Sequence, residues 1–382
     1  MTGFIDTVVV GGGAMGSAAA YALARRGTEV ALFERFGPGH VQGASHGASR
    51  NFNLSYGDAV HLRMLERALP AWRELEAVTG RRLLDQVGIV NHGRIPDLDR
   101  IAGLLPEFGF EAELLPAEEA GRRWPGIRFD GQVLHTPQAG RLDADAAVAA
   151  FQSAAAALGA SVNHHARVVD IRILDDDRAR IELQRTDAAG EPRGDREVIE
   201  CRRLVVTLGA WTAKLLGGRI ALPQLTVTQE QPAHFAEREP EAASPWPGFN
   251  HAPDAAHSRY GYWRSPVYGM QTPGQGIKAG WHGVGPVTDP DARSFVSEAG
   301  QLEALRRYVR EWLPGADPDD FTEISCTYTT TVDSAFVIDR VGPVAVGAGF
   351  SGHGFKFTPV VGELLAGLTE GAGAPPVFSL SR

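Results

Sequence analysis

Apolar and polar positions change their period several times along the chain, and each change marks an element. Thr7 to Val10 is an unbroken β-branched run, the pattern of a strand buried on both faces. An alanine-rich helical stretch from Ala14 to Arg26 follows, then a second short apolar run from Glu29 to Phe33. Apolar residues recur at helical spacing from Asp58 to Thr79 and from Asp143 to Leu158, with another strand near Val168. This alternation predicts an α/β protein. A length of 382 residues exceeds what one core usually fills, so two structural units are expected, in series or interleaved.

Composition narrows the function. Hydrophobic residues are 43% and charged residues 22% of the chain, near an ordinary globular protein, and no apolar run reaches the roughly 20 residues that span a bilayer. The opening Met1 to Thr7 shows no secretion signal, which predicts a cytoplasmic location. Net charge is −9 with no basic block, so nucleic acid and anionic lipid are not expected partners and a small molecule is. Cys201 and Cys326 are too few and too far apart for a disulfide framework, and the histidines show no metal-ligand spacing.

The first chemical signal is Gly11-Gly12-Gly13-Ala14-Met15-Gly16, placed between strand and helix as a dinucleotide fingerprint requires. Gly11 makes the tight turn, Gly13 lets a pyrophosphate approach the backbone, and Gly16 permits close helix–strand packing. Glu34 ends the second strand about 20 residues on, where the fold holds ribose hydroxyls, with Arg35 beside it. The motif alone leaves FAD and NAD open, and an NAD-dependent dehydrogenase uses the same fingerprint.

The second signal is rarity. Of 37 Lys and Arg residues only Lys214, Lys278 and Lys356 are lysine. A chain that otherwise uses arginine keeps a lysine where a compact ammonium does what a planar guanidinium cannot. Lys214, near a helix start, reads as a solvated face residue.

Several segments outside the fingerprint are informative together: Gly43-Ala44-Ser45-His46-Gly47-Ala48-Ser49-Arg50, Tyr56-Gly57-Asp58, Cys326-Thr327-Tyr328, and Gly349 to Phe357. With Trp124 to Ile127, Gly209-Ala210-Trp211, Gly276-Ile277-Lys278 and His282, the chain resembles the monomeric sarcosine oxidase and N-methyltryptophan oxidase family almost end to end. The resemblance implies a Rossmann-like FAD-binding domain interleaved with a substrate domain on a mixed β-sheet, of the glutathione reductase-2 and D-amino acid oxidase kind. It assigns residues 1–86, 143–220 and 315–382 to the first and 87–142 and 221–314 to the second. It also implies oxidation of a secondary amine, dioxygen as acceptor, hydrogen peroxide as product, and a monomer or simple homo-oligomer.

The resemblance further implies roles. Cys326 matches the cysteine that bonds the flavin; Lys278 the lysine that activates dioxygen; Lys356 the lysine that grips a substrate carboxylate. Arg50, His46, Ser45 and Ser49 lie in the loop that folds against the flavin, and Tyr260, His282 and Tyr328 match substrate-pocket positions. Val168, Gly209, Trp211, Gly352, His353, Gly354 and Phe355 complete the expected cofactor contacts, with Gly11, Gly13, Ala14, Met15, Gly16, Glu34 and Arg35. One departure stands out. Where the family places a second carboxylate-binding basic residue, three positions beyond the flavin-facing arginine, this chain has Asn53. A larger or less acidic amine than sarcosine is therefore expected, or a carboxylate held by Lys356 with Asn53, Arg259 or Arg264. A dehydrogenase using an acceptor other than dioxygen is the remaining alternative.

Overall fold

A computed structural model of the chain describes residues 2–238 and 246–382. The β-branched run forms the strand Thr2–Val10 inside an eight-stranded sheet, with Val30–Phe33 and Pro192–Val206 parallel to it on either side. Ser161–Asn163 and Val344–Ala348 continue the parallel array outward. Ala166–Asp175, Arg178–Thr186 and Val337–Val341 add antiparallel strands. Val8, Val9 and Val10 are buried because both faces of this sheet are covered.

The helix Ala14–Arg25 joins the first two strands. Its small side chains let the helices Ala144–Ala157 and Thr358–Thr369 pack directly on it. Where Thr358–Thr369 crosses, a Cβ on Gly362 would lie 2.6 Å from the Ala18 backbone, so only glycine permits the approach. The expected long helix forms as Ala59–Thr79: the Asp58 carboxylate caps it by accepting from His61 N–H at 2.9 Å, and left-handed Gly80 closes it.

A second eight-stranded sheet, mixed in direction, draws its strands from Ile89–Gly93, Glu113–Pro116, Gln132–Thr136, Ala233–Glu237, Gly248–Ala252, Val267–Thr272, Gly276–Trp281 and Ala316–Glu323. The boundary expected at residue 315 is therefore displaced. Ala316–Glu323 is an edge strand of this sheet, with Phe321 opposite Phe235, and the chain rejoins the first sheet only at Val337. Its outward acidic residues protect an exposed edge and hide the strand from an apolar-pattern reading. Helix Ala299–Trp312 packs on this sheet.

Two small sheets stitch the layers together. Leu225–Glu230 pairs with Cys326–Thr331, and Gly140–Leu142 lies between Arg50–Phe52 and Leu84–Asp85. Among the described residues no helix is long and apolar enough to cross a membrane.

Candidate active site

The glycine turn opens a cleft of about 660 Å³ that runs between the two large sheets. Gly11 has φ 102°, and a Cβ there would lie 2.5 Å from the Thr207 carbonyl oxygen. A Cβ on Gly16 would collide with the Gly11 carbonyl, so strand and helix meet as closely as the backbone allows. Gly13 caps the helix without a side-chain hydrogen bond, which leaves first-turn N–H groups available to an anion. Ser45 Oγ reaches that turn and accepts from Ala14 N–H at 3.0 Å. The Glu34 carboxylate is oriented by Gly12 N–H at 2.7 Å and Phe36 N–H at 2.9 Å, which leaves it lone pairs for ligand hydroxyls.

Farther along, the loop after the second strand turns back at Gly47, φ 102°, and is clamped by Arg50. The guanidinium donates to the carbonyls of Ser49 at 2.8 Å, Ala44 at 2.9 Å and His46 at 2.5 Å, and lies 3.9 Å from Cys326 Sγ. Lys278, only 5% exposed, reaches the same Ser49 carbonyl at 3.4 Å from the strand Gly276–Trp281. Ser49 Oγ pairs with Thr272 Oγ1 at 2.7 Å, fixing the loop against that sheet. Burial, then repulsion from Arg50, lowers the Lys278 ammonium to about 7. Burial and the same two cations lower His46 to about 3, and its Nε2 has no hydrogen-bond partner among the described residues.

Lys356, also 5% exposed, belongs to an ordered chain of hydrogen bonds. Its Nζ donates to Tyr56 Oη at 2.9 Å and to the His353 carbonyl at 2.6 Å. Tyr56 Oη lies 3.2 Å from His353 Nδ1, whose Nε2 faces the Ser334 carbonyl at 3.2 Å. A neutral His353 protonated on Nε2 satisfies every link, and burial with the Lys356 charge lowers it to about 3. Burial lowers Lys356 itself to about 7. Opposite stand Tyr328 and His282, with Oη and Nδ1 3.3 Å apart. Burial raises the Tyr328 phenol well above its usual range, and burial then Lys356 lower His282.

The helix start with first-turn N–H groups free beyond Ala14, the oriented carboxylate and the side-chain-free backbone at Gly13 all suit a dinucleotide. Residues 6–368 match the family model described as FAD dependent oxidoreductase. The chain belongs to the DAO family of FAD-dependent oxidoreductases. It is 32% identical to the monomeric sarcosine oxidase of Bacillus sp. (strain B-0618), over 96% of this chain and 93% of that protein. It is 26% identical to the N-methyl-L-tryptophan oxidase of Yersinia pestis (strain Pestoides F), over 99% of both. Among solved structures, NikD, described as an unusual amino acid oxidase, superposes with a TM-score of 0.82 at 24% identity, covering 99% of this chain and 98% of that one. At that identity the likeness speaks for the fold.

In this oxidoreductase the cleft wall includes Gly11, Gly13, Ala14, Met15, Glu34, Arg35, Ser45, His46, Ser49, Arg50, Asn53, Val168, Gly209, Trp211, Lys278, His282, Cys326, Tyr328 and Gly352 to Lys356. Two expected residues stand outside it. Gly16 packs behind the turn. Tyr260 is a correction: its hydroxyl bonds Asp130, and its ring lies with Trp263 and Trp312 in the core of the second sheet. An aromatic-rich segment suits a core as well as a pocket, and here the core took it. Arg259 and Arg264 do not line the cleft either; the Arg259 guanidinium sits 4.0 Å over the Trp312 ring. Lys214 pairs with Asp289 and Asp291 at the rim. Cys201 is buried in the sheet, its thiol pushed up to about 12 by desolvation.

The cleft wall also includes residues that the sequence reading gave no role. Tyr56 was visible only as part of a resembling triplet, and Asn51 only as part of an Asn-Phe-Asn stretch more polar than expected; Asn250 and Tyr268 carried no signal, since their place in the wall depends on sheet register.

Proposed function

We propose that this chain oxidises a secondary or cyclic amine to its imine, with FAD bonded to Cys326 and dioxygen as final acceptor, yielding hydrogen peroxide. One observation carries the reading: Lys278 and Lys356, two of only three lysines, are both buried in the wall of a single cleft. FAD, when bound, supplies the acceptor for the hydride that leaves the carbon next to the amine nitrogen.

The chain's own groups divide the remaining work. Gly11, Gly13 and the start of helix Ala14–Arg25 hold the pyrophosphate, Glu34 the ribose, and Cys326, a free and partly exposed thiol, the ring edge. Arg50 and Lys278 put positive charge where the acceptor side gains negative charge. Lys356 and Tyr56 anchor the substrate, while His282 and Tyr328 flank it. The amine reacts as the free base; burial and nearby cations disfavour its ammonium form, so the cleft lowers its proton affinity. Water then hydrolyses the iminium product. Asn53 in place of a second cation argues against sarcosine as the preferred substrate, because a charge-assisted bond of about 1.5 to 3 kcal/mol is missing.

The test is a panel of sarcosine, cyclic imino acids and simple secondary amines, scored by anaerobic bleaching of the yellow protein and by peroxide release in air. Bleaching by at least one amine is expected; a colourless protein, or no bleaching by any of them, overturns the reading.

A further inference from the structure

Where the substrate's second functional group would lie, the cleft wall is made of amides. Alternate residues Asn51 and Asn53 share one face of the chain leaving the short strand Arg50–Phe52. Asn51 Nδ2 donates to Asn250 Oδ1 at 3.3 Å, Asn250 Nδ2 to Asn91 Oδ1 at 2.9 Å, and Asn91 Nδ2 to Ser55 Oγ at 2.9 Å. Asn91 and Asn250 are register partners on adjacent parallel strands, so the array is held by the second sheet. Ser55 N–H donates to Asn53 Oδ1 at 3.2 Å, which leaves the Asn53 NH2 as the group free to meet a ligand.

Two features set the polarity of what fits. Lys356 spends two of its three N–H donors on Tyr56 and the His353 carbonyl, so one donor remains beside those of Asn53. At the other end of the array, Asn250 lines the cleft and its Oδ1 takes one hydrogen bond, from Asn51, so an acceptor lone pair remains. A carboxylate has no donor to offer it. A carboxamide supplies both a carbonyl acceptor and N–H donors. Of the two further cations near this loop, Arg50 is already committed to three backbone carbonyls, and Lys278 is turned to the Ser49 carbonyl.

We propose that the substrate carries an uncharged carboxamide next to its oxidisable amine, read by Asn53 and Lys356 at its carbonyl and by Asn250 Oδ1 at its NH2. This rests on the amine-oxidase reading and deepens it.

The test uses the flavin-loaded protein and two ligands in which an ether oxygen replaces the amine, so that neither is oxidised. Calorimetry should show methoxyacetamide binding about tenfold tighter than methoxyacetate. Asn250→Ala should weaken methoxyacetamide alone, and Asn53→Arg should reverse the order. The kinetic counterpart is kcat/KM for N-methylglycinamide against sarcosine, where the amide should lead. Methoxyacetate binding equally or tighter in the wild-type protein overturns the proposal without relying on any variant. So does Asn250→Ala weakening both ligands alike, the signature of a purely structural amide array. If the amide analogue is preferred but neither amine bleaches the flavin, the amine-oxidase reading fails while the subsite stands.

Discussion

Lys278 and Arg50 converge on one acceptor: the carbonyl of Ser49 takes a hydrogen bond from the ammonium at 3.4 Å and from the guanidinium at 2.8 Å. Two cations on a single carbonyl repel one another. They are held together because Arg50 is fixed by two further carbonyls and Lys278 by a strand of the second sheet. Folding thus places positive charge in the cleft at a cost to stability, a common arrangement where charge is needed for chemistry.

That cost has a pH signature. Lys278 holds its proton only up to about 7 in the folded chain against its ordinary 10.5, so the penalty of burying its charge is full below pH 7. As pH rises toward 10.5 the unfolded chain binds more protons than the folded one, and the penalty fades. Lys278→Met should therefore raise the melting temperature near pH 6, and the advantage should shrink to nothing near pH 10. Thermal unfolding of both proteins at the two pH values checks this.

Tyr56→Phe and Tyr260→Phe should behave oppositely. Loss of the Tyr56 hydroxyl leaves Lys356 and His353 without their shared partner, so substrate KM should rise about tenfold with kcat little changed. Tyr260 lies outside the cleft, and its variant should keep KM within about twofold while losing roughly 1 kcal/mol of stability. Steady-state kinetics and thermal melts on the pair separate the two.

Cys326→Ser should release the flavin. In the wild-type protein, acid precipitation is expected to leave yellow colour in the pellet; in the variant the colour should pass to the supernatant. Equal partitioning in both would exclude a bond at this sulfur.

Gly11→Ala forces a side chain into a left-handed backbone and against the Thr207 carbonyl, a strain of about 2 kcal/mol or more. The variant should melt earlier and purify with less flavin per chain. Absorbance at the flavin band relative to 280 nm gives the occupancy.

Much of this was legible in the chain itself. The strand Thr2–Val10, the helix after it and Glu34 follow from local pattern, because burial on both faces demands β-branched runs and a close turn demands glycine. The scarcity of lysine drew attention to Lys214, Lys278 and Lys356, and the family resemblance of the glycine-rich segments around Lys278 and Lys356 singled out those two. What could not be read was set by distant pairing. Tyr260 and Tyr56 both stand outside strands and long helices, and only tertiary packing puts the first in the core of the second sheet and the second against Lys356. The Asn51, Asn250 and Asn91 array exists only through strand register, and the edge strand Ala316–Glu323 has too few apolar residues to announce itself.

The central claim is that Lys278 serves the acceptor side of an amine oxidation carried out in this cleft. It is tested most directly by reducing the wild-type and Lys278→Met proteins with an amine in the absence of air, then mixing each with dissolved dioxygen and following the return of yellow colour. Both should bleach at comparable rates, and the variant should recover its colour more slowly by about a hundredfold or more. Equal rates of recovery, or a protein that no amine bleaches, would contradict it.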